Sequence, residues 1–208
     1  MSEVLVDVPE TWDVHDSKTA FSGRVLSVRV DRVQMPGDAV ASREVVVHPG
    51  SVGILALNHD GRVLVLSQYR HPIRHRLWEL PAGLLDVAGE PALDAAKREL
   101  REEAHLQADD WHVLLDVYTS PGGSEEAVRI FLARGVSTAG GEPVIGVHEE
   151  ADLELRWVHL DDLVAGVLAG KLHNPLIVMG ALALQAVLQG HGMDALRPGD
   201  APWPARTA

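Results

Sequence analysis

Residues 78–106 read Trp-Glu-Leu-Pro-Ala-Gly-Leu-Leu-Asp-Val-Ala-Gly-Glu-Pro-Ala-Leu-Asp-Ala-Ala-Lys-Arg-Glu-Leu-Arg-Glu-Glu-Ala-His-Leu, a glycine-bearing loop that runs into a helix. Pro91 suits the first helical position, where its missing N–H would have no partner in any case. Leu93, Ala96, Leu100 and Ala104 recur at helical spacing and form a narrow apolar stripe. Glu99, Glu102 and Glu103 stand at i, i+3 and i+4, so they share a neighbouring face. Carboxylates placed this way repel one another unless a cation sits among them. Oxygen-only ligands suit magnesium, or manganese as the alternative, rather than zinc. A solvated acidic face is the plainer reading of the same residues.

On the N-terminal side, residues 1–20 are polar and carry little pattern, which predicts a loosely held arm. Val25, Val28, Val30 and Val33 recur among polar partners as one strand, and Arg43 to His48 form a second. The turn signal Pro36-Gly37-Asp38 joins them into a hairpin. Val52 to Leu57 and Val63 to Tyr69 are apolar runs flanking Asn58-His59-Asp60-Gly61, and they predict a central hairpin of a mixed sheet. Residues 70–76 hold three arginines and two histidines, equally readable as a solvated basic loop. Past the helix, Trp111 to Tyr118, Ala127 to Ala133 and Leu153 to Val158 alternate like strands. Asp161 to Leu168 and Pro175 to Leu188 are helix candidates. The second is apolar all round, so it is buried within the domain or between subunits.

Composition narrows the class. In 208 residues, 46% are hydrophobic, enough to bury a core and to exclude a disordered chain. The net charge of −12 argues against a non-specific nucleic-acid binder, yet bound cations can still invert the local field for an anionic substrate. The absence of cysteine removes disulfides and thiolate chemistry. The run at 175–188 is too short to span a bilayer, and residues 1–20 show no signal-peptide core, so a cytoplasmic location with no membrane partner is expected. Strands bracketing two or three helices predict an α+β fold arranged as an α/β/α sandwich with a mixed central sheet. The expected organisation is an N-terminal arm over 1–48, a domain over 49–190 and an irregular tail over 191–208.

Counted from Gly83, six residues precede Glu90, seven more precede Arg98-Glu99, and Leu-x-Glu-Glu follows. This string resembles the Nudix box, Gly-x5-Glu-x7-Arg-Glu-U-x-Glu-Glu-x-Gly-U with U apolar. The first spacer is one residue longer than the pattern, ahead of the helix, and His105 stands where the box has glycine. A glycine there serves a helix end with positive φ, a region histidine visits more readily than most side chains. The flanks Gln68-Tyr69-Arg70 and Trp78 to Gly83, with Pro121 fifteen residues past Leu106, resemble the ADP-ribose pyrophosphatase subgroup. That subgroup's loop commonly reads Pro-Gly-Phe-Ser-Asp-Glu, and here Gly123 replaces the aromatic.

The resemblance implies a Nudix-like fold and a magnesium-dependent hydrolase that cuts ADP-ribose to AMP and ribose 5-phosphate. By position, Glu99 and Glu103 would be the primary metal ligands, supported by Glu102 and the carbonyl of Ala82. Arg98 would orient a ligand carboxylate by hydrogen-bonding Glu90 or Glu102. Glu149 or Glu150 would align or activate water. Arg70 would contact a phosphate, while Tyr69, Trp78 and Glu79 would line the base or ribose pocket; Trp78 reads equally as core. The subgroup implies a homodimer whose N-terminal strands reach the partner. The alternatives are another nucleoside diphosphate derivative as substrate, such as a nucleotide-sugar or dinucleoside polyphosphate, or a non-catalytic ADP-ribose sensor.

Overall fold

The computed structural model describes residues 5–141, 153–204 and 206. They divide between two compact units, one comprising Met1–His48 with Ser120–Glu126, the other Pro49–Thr119 with Ala127–Ala208.

The first unit is an antiparallel sheet of β1 (Val14–Ser22), β2 (Ser27–Gln34) and β3 (Val40–Val47), with β2 in the middle. The two-stranded hairpin read from the sequence therefore gains a third strand, within residues expected to be loose. All nine residues of β1 are exposed, so no alternation of apolar residues marks it. Its order comes from the backbone ladder to β2 and from polar pairs, including Ser17 Oγ donating to Asp31 Oδ1 at 2.6 Å. That bond, with help from Arg29, holds the Asp31 carboxyl below its usual range. The segment at 120–126 joins this unit through the Val46 N–H on the Gly123 carbonyl (2.8 Å) and Arg29 on Glu125 (2.8 Å).

The second unit carries β4 (Ser51–Ala56), β5 (Arg62–Arg70), β6 (His75–Glu79), β7 (Ala82–Leu84), α1 (Ala92–Ala104), β8 (Leu106–Gln107), β9 (Asp110–Tyr118), β10 (Ala127–Arg134), β11 (Ser137–Thr138), β12 (Glu154–His159), α2 (Leu160–Leu168), α3 (Pro175–Ala186) and β13 (Arg197–Pro198). A five-stranded mixed sheet runs β13-β9-β10-β4-β7, with β10 and β4 parallel. A three-stranded antiparallel sheet runs β12-β5-β6, and β11 pairs with β8.

The expected central hairpin is therefore corrected: an isolated bridge joins Leu57, just past β4, to Val63 of β5, and the two strands belong to different sheets. Their turn does form, with Asn58 Oδ1 accepting from the N–H groups of Asp60 and Arg62 and Gly61 at φ +72°. The strands part because each is apolar on both faces and needs cover on both. Val52, Ile54 and Ala56 of β4 pack in one core with Ala95, Ala96 and Leu100 of α1, whereas Leu55 packs in another with Leu176, Ile177 and Leu184 of α3. In β10, Phe131 and Ala133 join the α1 side while Val128, Ile130 and Leu132 join the α3 side.

α3 buries Leu176, Ile177, Gly180, Ala181 and Leu184 within its own chain, while Leu182 stays exposed. Asn174 caps it by accepting from the Leu176 N–H, and Pro175 begins it. Gly180 lets it approach closely, since a Cβ there would sit 3.1 Å from Leu80 Cδ1 and 3.3 Å from Leu55 Cδ1. The described part of the tail carries one short strand. β13 adds an edge to the sheet on β9, and Arg129, 2% exposed, donates to the carbonyls of Ala201 (2.7 Å) and Pro202 (3.0 Å). Among the described residues, no helix is long and apolar enough to cross a membrane.

Candidate active site at the β7–α1 junction

β7 and α1 build the site. Ala82 and Gly83 pair with Gly53 and Val52 of β4, which fixes the loop backbone at the edge of the five-stranded sheet. α1 lies on this sheet through Ala95, Ala96 and Leu100, so its Glu99 edge meets the loop. The approach is close: a Cβ at position 83 would overlap Cγ, Cδ and Oε1 of Glu99, so a larger residue there must displace that side chain. Glu103, one turn further, accepts the Ala82 N–H on Oε2 at 3.0 Å.

Arg98 sits among the remaining carboxylates. Its Nε and Nη2 bind the two oxygens of Glu90 at 3.0 Å each, and Nη1 donates to Glu99 Oε1 (2.6 Å) and Glu102 Oε2 (3.1 Å). The sequence left Glu90 and Glu102 as alternative partners; the guanidinium takes both. A planar five-donor fork can do this where an ammonium could not. The guanidinium holds the Glu90 carboxyl below its usual range, and Glu90 in turn raises Arg98.

Pro91 is the residue just ahead of α1 and not its first turn, its carbonyl accepting from the N–H groups of Asp94 and Ala95. The helix ends at His105, in the left-handed region at φ 54°, ψ 37°, with its N–H on the Arg101 carbonyl. This is the conformation for which the box glycine is suited, and among the described residues the buried His105 Nδ1 has no hydrogen-bond partner. His105→Gly is expected to raise Tm by about 1–3 °C, since relief of the left-handed strain exceeds the added freedom of the unfolded chain. Thermal unfolding decides it: an unchanged or lower Tm would show that the strain relieved does not exceed the freedom gained by the unfolded chain.

The other candidates lie on β5 and β6. Arg70 Nε and Nη2 bind Glu79 Oε1 (2.9 Å) and Oε2 (2.6 Å), and Glu79 is 1% exposed. Trp78 packs partly buried against the α3-side core, with the Arg156 guanidinium 4.7 Å from its ring centroid. Tyr69 is exposed, its ring edge-on to His71. Glu149 and Glu150 fall outside the described residues. The Arg156 contact with Trp78 is not legible in the sequence, because a charged position in an alternating strand looks like any solvated one.

The sequence profile of the NUDIX domain matches residues 47–177, more than half of the chain. The chain belongs to the Nudix family. A second profile, the nucleoside diphosphate sugar hydrolase N-terminal domain, matches residues 12–46. Among Nudix relatives, the ADP-ribose pyrophosphatase of Mycobacterium tuberculosis is 45% identical over 192 residues, covering 92% of this chain and 91% of the relative. The ADP-ribose pyrophosphatase of Bacillus subtilis is 36% identical over 154 residues, covering 74% and 82% respectively. A solved structure described as an ADP compounds hydrolase superposes with a TM-score of 0.74 at 19% identity, covering 90% of this chain and 99% of that one; it speaks for the fold alone. Nudix proteins are typically dependent on divalent metals.

The donor chemistry here fits such an ion. Glu99, Glu102 and Glu103 offer carboxylate oxygens on one helix edge beside a backbone strand that can add carbonyls, a set suited to a hard cation. Among the described residues, no three such donors converge as a metal cluster; Arg98 holds Glu99 and Glu102, and the Ala82 N–H holds Glu103.

The close contact at Gly83 yields a prediction. In Gly83→Ala, the added Cβ is relieved most cheaply by swinging the flexible Glu99 carboxylate off the loop. The variant is expected to fold and to lose roughly 10²-fold in kcat, the scale of a misplacement of about 1 Å. Wild-type kcat would show that Glu99 does not need this contact.

Proposed function

We propose that this Nudix protein hydrolyses the diphosphate bond of ADP-ribose, giving AMP and ribose 5-phosphate, with Mg2+ as the working ion. The observation that supports the reading is the meeting of α1 with the β7 backbone, Glu99 against Gly83 and Glu103 on the Ala82 N–H, which brings two carboxylates beside backbone carbonyls that could share such an ion. Its substrate is supported by the relatives named ADP-ribose pyrophosphatase.

In this reading Glu99 and Glu103 hold the cation, Glu102 supports them, and the Ala82 carbonyl adds an oxygen. Arg98, braced by Glu90, keeps the carboxylates from repelling one another before the ion arrives. When bound, the cation neutralises the diphosphate and polarises phosphorus toward attack by water. Water oxygen bonds to one phosphorus, the bridging P–O bond breaks, and the other phosphate leaves with the bridging oxygen. The proton released by water goes to Glu149 or Glu150. Glu79 aims Arg70 at a substrate phosphate, while Tyr69 and Trp78 flank the base or ribose.

A hydrolysis panel with Mg2+ tests the assignment, comparing ADP-ribose, ADP-glucose, a dinucleoside polyphosphate and a nucleoside triphosphate. The highest kcat/KM is expected for ADP-ribose, with AMP and ribose 5-phosphate as products. A preference for another member overturns the substrate. Tight ADP-ribose binding without turnover overturns the enzyme reading in favour of a sensor.

The working form is a homodimer. The first unit exposes the whole of β1 and apolar side chains at Val14, Phe21, Val25, Leu26 and Val40. An edge strand with exposed apolar neighbours is what a second copy of the chain would cover. Gel filtration is expected to give twice the mass of the chain, and a compact monomer at micromolar concentration would refute the dimer.

A further inference from the structure

The segment after Leu196 has more structure than any role so far given to it requires. It is anchored on β9 and β10: Arg197 donates to Asp116 Oδ2 (2.8 Å), Gly199 N–H to the Trp111 carbonyl (3.0 Å), and Arg129 to two tail carbonyls. Arg129 also pairs with both oxygens of Asp116 and lies 4.7 Å from the Trp203 ring centroid. From this anchor the tail reaches both ends of the loop that enters α1. On one side Arg206 Nη2 donates to the Leu85 carbonyl (3.3 Å), while the Leu85 N–H is held by Gly50. On the other, Gly199 lies so near Leu93 in the first turn of α1 that a Cβ there would come within 3.3 Å of Leu93 Cδ1. Between them, Ala201 and Trp203 pack on the core that contains Leu85, Ala95 and Ala96.

We infer that this C-terminal segment is a brace for the loop from Leu85 to Glu90, and that Trp203 and Arg206 are positioning residues for the carboxylates of α1. The inference rests on the reading of α1 as the catalytic helix. The physical reason is leverage. The loop's own turn carries a Glu90 N–H bond to the Val87 carbonyl at 3.2 Å, and Val87 is half exposed. Glu90, at the end of the loop, holds Arg98, and Arg98 donates to Glu99 and Glu102, so a displacement of this loop reaches both carboxylates through the guanidinium.

The test uses the full chain with Trp203→Ala, Trp203→Phe and Arg206→Ala. Amide hydrogen exchange over residues 85–90 is measured without metal or substrate, and kcat and KM are measured with Mg2+. Trp203→Ala is expected to speed exchange at 85–90 by about tenfold, with β4 and β10 unchanged, because local opening is distinct from global unfolding. It is expected to lower kcat roughly tenfold while KM stays within about twofold. Trp203→Phe should recover most of both effects, and Arg206→Ala should show a smaller shift in the same direction. Exchange that rises everywhere together would make the tail a general stabiliser and overturn the brace; so would faster loop exchange with unchanged kcat. If the enzyme prefers another diphosphate, kcat is compared on that substrate, and the exchange result stands whatever the substrate.

Discussion

Glu103→Gln is expected to lower kcat for ADP-ribose by about 10³-fold, some 4 kcal/mol of transition-state stabilisation, while the protein stays folded. The substitution keeps the shape and keeps an oxygen that can accept the Ala82 N–H, the contact Glu103 makes at 3.0 Å. What it removes is one negative charge, which the proposed divalent ion needs. Folding and function are expected to separate at this residue. Circular dichroism and thermal unfolding should overlay those of the wild type, whereas titration with Mn2+ or Mg2+ should show weakened binding. Activity within tenfold of wild type would remove Glu103 from the metal set. Glu103→Ala is the informative companion, since it also leaves the Ala82 N–H without its acceptor and so should lose stability as well.

Arg129→Ala is expected to lose about 3 kcal/mol of stability, near the low end for breaking a buried ion pair, with Tm falling by roughly 10 °C. Arg129 is 2% exposed and donates to both oxygens of Asp116 and to the carbonyls of Ala201 and Pro202. Truncation strips those acceptors of their donor and leaves the Trp203 ring without its cation. Asp116 keeps Arg197 as a partner, which is why the loss stays below the upper end of the range. Urea unfolding measures it directly. A Tm within about 3 °C of wild type would mean that water replaces the guanidinium at this site at little cost.

The strand that carries Arg129 also shows where a sequence reading stops. Ala-Val-Arg-Ile-Phe-Leu is an apolar run with one lone arginine, and that exception was visible. Its partners were not, because Asp116 lies on the neighbouring strand and Ala201 and Pro202 lie more than seventy residues downstream. The β4–β5 hairpin was misread for a related reason. The Asn58 to Gly61 turn is local and forms as its residues dictate, but which sheet each strand then enters depends on what covers its two faces. β1 left no signal at all, since it gains its order from a ladder and buries no side chain.

Residues 78–106 by themselves determined the loop, the helix, the carboxylates that share its edge and the arginine beside them, because helical periodicity places i, i+3 and i+4 together whatever the rest of the chain does. The positive-φ helix end at His105 follows from the same local geometry. Only the tertiary structure decided that Gly83 presses on Glu99, that Arg98 takes Glu90 and Glu102 together, and that the C-terminal tail spans the loop beneath them. Those contacts join residues whose meeting is set by sheet order and by which helix covers which face, and that choice is made by burial summed over the whole domain.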